Sequence, residues 1–252
     1  MSENCAGTDR EVALVTGSTS GIGAAVARRL VSDGFFVILH SRDSAEPGTA
    51  LAAELEHAAY IQADLSDEAA RAGLIREASR IAGRLDVLIN NAGISGLIPH
   101  GDLAAATPEI WRKLYEVNVI APFHLITLAE PLLRVSAARK GAASVINISS
   151  HAGVRPKGGS IPYAATKAAL NHVTRLLALS LGPEIRVNAI APGLVDTPLT
   201  ADWTDAQAAW RERAPMRRAA KPEDIAEALM LLLRADYITG EILLSDGGMN
   251  LT

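Results

Sequence analysis

Tyr163 and Lys167 stand four residues apart, and Ser150 lies thirteen residues before the tyrosine. A phenol titrates near 10, too high for ready proton exchange at neutral pH. A lysine at i+4 shares the helix face of a tyrosine at i. An ammonium held about 4 Å away, at an effective dielectric near 20, would favour the phenolate by about 4 kcal/mol or about three pKa units. The pair therefore predicts a general acid/base that exchanges a proton with an alcohol or carbonyl oxygen. Ser150 would hold that same oxygen. Taken alone, the pair has a blander reading, an exposed lysine beside a half-buried tyrosine, and the rest of the chain must decide.

Short apolar, β-branched runs alternate along the chain with longer helical stretches. The runs are 12–16, 36–39, 60–62, 85–89, 144–148, 185–190 and 241–244. Runs apolar on both faces are typical of parallel strands covered by helices. Between them, 21–32, 46–57, 67–82, 108–137, 161–181 and 222–233 carry helical periodicity. This order implies an α/β fold, a doubly wound parallel sheet of about seven strands with right-handed crossovers. No linker, repeat or low-complexity segment interrupts it, so residues 1–252 read as a single domain. The stretch 194–218, with Pro198, Trp203, Trp210 and Pro215, breaks the alternation and is expected to be a substrate-loop insertion.

The first strand runs into Gly17-Ser18-Thr19-Ser20-Gly21-Ile22-Gly23 and then directly into a helix. Such glycines permit a tight turn and close approach of backbone to a pyrophosphate at a helix N-terminus. At the end of the second strand a carboxylate would accept from the 2′-hydroxyl of NAD, and a basic residue would suit the 2′-phosphate of NADP. The chain places Ser41 and Arg42 there, a hydroxyl and a guanidinium fork that fit a phosphate. NADP(H) is the cofactor expected. The competing reading of Arg42 is a solvated cation neutralised by Asp43.

Composition narrows the partners. The chain has 49% hydrophobic and 21% charged residues and a net charge of -4, which gives no electrostatic case for nucleic acid or an anionic membrane. Cys5 is the single cysteine and reads as an inert thiol, and six scattered histidines suggest no metal site. Residues 1–4 lack the basic and apolar regions of a signal peptide, and no uninterrupted apolar run approaches bilayer length. A soluble, cytoplasmic protein is expected.

With these motifs in order, the chain resembles the short-chain dehydrogenase/reductase family. The resemblance rests on the glycine turn, Asp64, Asn90-Asn91-Ala92-Gly93, Asn118, Ser149-Ser150, Tyr163-x-x-x-Lys167, Pro192-Gly193-Leu194-Val195-Asp196-Thr197 and Asp246-Gly247-Gly248. It spans nearly the whole chain and implies a Rossmann-like domain. It implies that Tyr163 is the general acid in reduction and base in oxidation. Lys167 would lower the tyrosine pKa and hold the nicotinamide ribose, while Ser150 orients the substrate and Asn118 anchors a water leading to the lysine. Asp64 and Leu65 would border the adenine, Asn91 the adenosine ribose, and Val195 and Thr197 the carboxamide. Ala92, Gly93, Pro192 and Gly193 join the cofactor set. Asp64 is alternatively a helix cap, with Ser66 the better candidate for capping. Asn90 and Gly93 alternatively serve turn geometry. Asp246-Gly247-Gly248 is expected to shape the C-terminal turn and subunit contacts.

The function expected is hydride transfer between NADP(H) and a ketone or secondary alcohol, similar to the 3-oxoacyl-acyl-carrier-protein reductases. The alternative is a catalytically idle NADP(H)-binding sensor or scaffold. Arg155 and Lys157 would either meet an anionic carrier or be solvated loop charges. The small-molecule carbonyl or alcohol is the expected partner, and the helical stretches 108–137 and 161–181 are apolar enough to predict a homo-oligomer, a dimer or tetramer.

Overall fold

Alternate residues of β1 (Val12–Val15) enter different cores, which fixes how the molecule is layered. Val12 and Leu14 pack on one face of the sheet, Ala13 and Val15 on the other, as period-two strand geometry requires. The computed structural model describes residues 9–252, so the expectations for Cys5 and for residues 1–4 lie outside the described residues. The remaining strands are β2 (Phe36–Ser41), β3 (Ala58–Gln62), β4 (Val87–Asn90), β5 (Ala143–Ile148), β6 (Ile185–Pro192) and β7 (Ile242–Ser245). They form one fully parallel sheet in the order β3-β2-β1-β4-β5-β6-β7.

Helices α1 (Gly21–Ser32), α2 (Ala45–Glu54) and α8 (Pro222–Arg234) contribute Val26, Leu30, Leu51 and Leu229 to one core. Helices α3 (Glu68–Ala82), α5 (Ala121–Lys140) and α6 (Ile161–Leu181) contribute Leu74, Leu125, Leu133 and Leu181 to the other. Between β1 and β4 the winding of the sheet reverses. A crevice opens there beyond the carboxyl ends of the strands.

Three local differences from the sequence expectation bear on function. The stretch 108–137 is not a regular α-helix throughout. It divides into α4 (Pro108–Tyr115), a π turn (Glu116–Ile120) and α5. Asn118 lies in the π turn, whose extra residue swings it inward, and such bulges recur at functional sites. The loop 194–218 contains a helix, α7 (Thr204–Arg213), none of whose residues is buried. Asp67 rather than Ser66 caps α3, accepting from the Ala70 N–H at 2.7 Å, while Ser66 donates to Asp64. The continuous stretch Pro108–Lys140 is apolar and long enough by composition to cross a membrane. Its buried Leu125, Ile126, Ala129 and Leu133 make it a core helix here.

Candidate active site

The floor of the crevice is the turn between β1 and α1. Gly17 and Gly21 hold φ of +62° and +52°, a region open to glycine but strained for other residues. Gly23 is fixed by space instead: a Cβ there would lie 2.2 Å from the Gly17 carbonyl oxygen. The turn is tied to β4 by Thr16, whose hydroxyl accepts from the Asn91 and Ala92 N–H groups, each at 3.0 Å. Asn91 donates both amide hydrogens to the Thr16 and Gly17 carbonyls at 2.9 Å. No side chain caps α1, so its first amides face the cleft without competition, which suits a phosphate. These observations fit a dinucleotide, with the turn holding the pyrophosphate.

One cavity of about 970 Å³ joins this floor to the tyrosine. Gly17, Thr19, Ser20, Gly21, Ile22, Ser41, Arg42, Asp64, Leu65, Asn91, Ala92 and Gly93 line it, with Ser150, Tyr163, Lys167, Pro192, Gly193, Val195 and Thr197 beyond. Three expected residues stand behind its wall. Ser18 is buried, with its hydroxyl accepting from the His40 N–H at 2.8 Å. Gly23 packs under the turn. Asn118 accepts from the Ile94 N–H at 2.9 Å and donates to the Ile94 carbonyl at 2.9 Å and to the Thr166 hydroxyl at 3.2 Å. Asn90 is also turned away, donating to Asn147 inside the sheet. Gly93 makes a close approach: a Cβ there would lie 3.2 Å from Asn118 Oδ1 and 3.5 Å from Lys167 Nζ.

At the far end of the cleft, Ser41 shares its hydroxyl with the Tyr60 phenol at 2.7 Å, and Arg42 pairs with Asp43 at 2.5 Å. The Arg42 side chain is 55% exposed, so its fork remains free to turn. Asp64 accepts from the Ser66 N–H and hydroxyl, which hold its carboxyl below the usual range.

Ser160 caps α6 by accepting from the Tyr163 N–H, which sets the tyrosine in the first turn and Lys167 one turn later. Ser150 lines the cavity with Tyr163, and its hydroxyl accepts from the Ala152 N–H at 3.1 Å. Ser149 instead donates to the Lys167 carbonyl at 3.3 Å. Burial pushes the phenol above its ordinary value, against the opposing pull of Ser150. Burial thus opposes the lowering expected from Lys167. The ammonium lies 5.8 Å from the ring centroid and donates to the Ile148 carbonyl at 2.9 Å. Burial itself lowers Lys167 to about 8. At neutral pH the site therefore holds a protonated phenol beside a charged lysine.

Several cavity residues carried no sequence signal. Ile94, Leu97, His151, Leu199, Trp203 and Trp210 form an apolar wall with one imidazole, drawn from three segments: the loop after β4, the turn after β5 and the stretch 194–218. Only the two tryptophans stood out in sequence. Trp210 packs edge-on against His151 at 6.0 Å, and a Cβ on Gly193 would lie 2.9 Å from its ring. Arg155 is engaged with Asn250 in the C-terminal turn. That turn is shaped by Asp246, which accepts from the Gly248 and Asn250 N–H groups.

A glycine-floored cleft at the switch point of a parallel sheet, continuous with a half-buried serine and tyrosine and a buried lysine, belongs to oxidoreductases that use a nicotinamide dinucleotide. Comparison with known proteins makes the class specific. A family model described as enoyl-(acyl carrier protein) reductase matches residues 17–250. The chain belongs to the short-chain dehydrogenase/reductase family. It is 49% identical to the granaticin polyketide synthase putative ketoacyl reductase 2 of Streptomyces violaceoruber, over 95% of this chain and 96% of that one. Among solved structures, the 3-ketoacyl-(acyl-carrier-protein) reductase of Brucella melitensis complexed with NADH superposes with a TM-score of 0.87 and 33% identity, covering 95% of this chain and 98% of the other. The Pseudomonas aeruginosa RhlG/NADP active-site complex also gives 0.87, with 35% identity and 99% of each chain covered.

Proposed function

We propose that the protein reduces the ketone of a 3-oxoacyl thioester to a secondary alcohol with NADPH. The observation that carries this reading is that Ser150, Tyr163 and Lys167 line one wall of the cleft, with the Lys167 ammonium 5.8 Å from the phenol ring centroid. A bound reduced nicotinamide supplies the hydride to the carbonyl carbon. Ser150 donates to the carbonyl oxygen and orients it. Tyr163, protonated at neutral pH, gives that oxygen its phenolic proton as the alcohol forms. Lys167 stabilises the phenolate left behind, which regains a proton from solvent. Asn118 holds the Ile94 backbone at the cleft wall and is a positioning residue.

The apolar wall of Leu97, Leu199, Trp203 and Trp210 suits an acyl chain or a larger polyketide body. The 3-oxoacyl choice is supported by the ketoacyl reductase names of the relatives. NADP(H) is favoured by Arg42 and by the absence of a carboxylate at Ser41, with the RhlG complex as a precedent. Initial rates with an acetoacetyl thioester, using NADPH and NADH in parallel, test both parts. At least a tenfold preference for NADPH is expected, on the order of one charge-assisted hydrogen bond. Arg42→Ala should remove most of it. Equal efficiency with NADH would refute the cofactor assignment, and inactivity across a ketone panel would refute the reaction.

A further inference from the structure

His40 stands at the end of β2 behind the glycine turn and takes no part in the chemistry above. It is 1% exposed. Its ring joins two segments of the cleft. The Gly17 N–H donates to Nδ1 at 3.2 Å, and Nε2 lies 2.9 Å from the Ala63 carbonyl. A backbone N–H can only donate and a carbonyl can only accept. Nδ1 is therefore bare and the ring proton sits on Nε2. The backbone of the same residue is held as firmly. The His40 carbonyl accepts from the Ser18 N–H at 2.9 Å, and its N–H donates to the Ser18 hydroxyl at 2.8 Å. Gly17 opens the phosphate turn, while Ala63 immediately precedes Asp64 and Leu65 on the adenosine side of the cavity.

We propose that His40 is a positioning residue for the cofactor, a neutral clasp that fixes the phosphate turn at Gly17 to the adenosine wall at Ala63. The inference rests on the dinucleotide reading of the cleft. Protonation of Nδ1 would set two N–H donors face to face and open the clasp, so cofactor affinity should be linked to proton uptake. Asp64 is the charged group that reaches the ring from the segment after β3. The turn 16–23 offers no ionisable side chain, and on the β2 side the nearest is Arg42, which Asp43 neutralises. Burial lowers His40 below the ordinary histidine value, with the Ala63 carbonyl and the Asp64 charge opposing. The clasp is thus closed at neutral pH and opens as the pH falls through that lowered value.

The test measures NADPH dissociation constants by fluorescence titration of the full chain, at about pH 7.5 and about pH 5, with apoprotein melting temperatures alongside. His40→Leu should weaken NADPH roughly tenfold at the higher pH, while kcat at saturating cofactor changes by less than about twofold. His40→Asn offers an amide oxygen to Gly17 and does not titrate. It should match the wild type at the higher pH and bind more tightly than wild type at the lower one, by up to about tenfold per pH unit below the titration. Ionisation of the cofactor phosphate is common to both proteins and cancels in their ratio. A wild-type to Asn ratio that is the same at both pH values would overturn the clasp, even if melting temperatures fall. So would equal binding by His40→Leu. Should the Leu variant fail to fold, the Asn comparison decides. A wild type that binds neither NADPH nor NADH at the higher pH overturns the cleft reading itself, whereas equal binding by all three proteins overturns the clasp alone.

Discussion

Burial moves Tyr163 and Lys167 apart on the pH scale, raising the phenol and lowering the ammonium to about 8. Ketone reduction needs the phenol protonated and the lysine charged, and both hold below about 8. The initial rate of reduction should be flat through neutrality and fall as the pH rises above that value. A rate still climbing at pH 9 would contradict the assignment. Tyr163→Phe should lower kcat/KM by about 10²–10⁴ with NADPH affinity retained, as expected for loss of a general acid. The same lysine makes a prediction about stability. Its folded pKa lies below the 10.5 of the unfolded chain, so its protonation opposes folding throughout the neutral range and ceases to do so only above the unfolded value. The shift corresponds to roughly 3 kcal/mol. Lys167→Met should therefore raise the apoprotein melting temperature at pH 7 while abolishing most activity, a trade of stability for function. A lowered melting temperature would show that the bond to the Ile148 carbonyl outweighs desolvation. The tyrosine and lysine were legible in sequence because helical spacing fixes which face a side chain occupies, whereas Ser150, outside α6, was singled out by the family resemblance. The direction of the phenol shift was not legible, because spacing does not reveal how far the fold desolvates the phenol.

At the scale of elements, the cleft depends on backbone approaching backbone. The turn after β1 passes so close to α1 that Gly23 excludes any side chain. Gly23→Ala should cost about 1–3 kcal/mol through overpacking and weaken the cofactor, because the obstructing atoms are the Gly17 carbonyl and the Asn91 amide that shape the turn. Unchanged NADPH affinity, measured with the melting temperature, would show that the turn can shift without loss. The strands and most helices were readable from alternating apolar runs, since a parallel sheet covered on both faces leaves an unbroken hydrophobic signature. Helix α6 was expected at 161–181 and is found there. The division of 108–140 was not readable: Val117, Asn118 and Val119 fit a helical pattern, and the π turn follows from Asn118 bonding both backbone groups of Ile94. Helix α7 was hidden for the opposite reason. It buries no residue and so carries no apolar stripe to detect.

At the scale of the whole molecule, α5 and α6 are apolar on more faces than the sheet covers. Helix α6 buries Leu170, Ala178 and Leu181 against the core yet leaves Leu176 51% and Leu179 84% exposed. Phe123 on α5 is 48% exposed and Ile120 at the end of the π turn 45%, although α5 also buries Leu125, Ile126 and Leu133. A single exposed leucine is ordinary, but a helix hydrophobic all round belongs inside a larger assembly. A homo-oligomer is expected, with these helices meeting their counterparts in a second copy. Light scattering at micromolar concentration should give a dimer or tetramer, and the paired change Phe123→Glu with Leu179→Glu should shift it to a smaller species. Neither side chain lines the cavity, so the smaller species should still bind NADPH. Loss of binding on dissociation would mean that the π turn, adjoining Phe123 and holding Asn118, keeps its shape only within the assembly. A monomeric wild type would refute the expectation and leave the exposed apolar faces of α5 and α6 without a partner in a second copy.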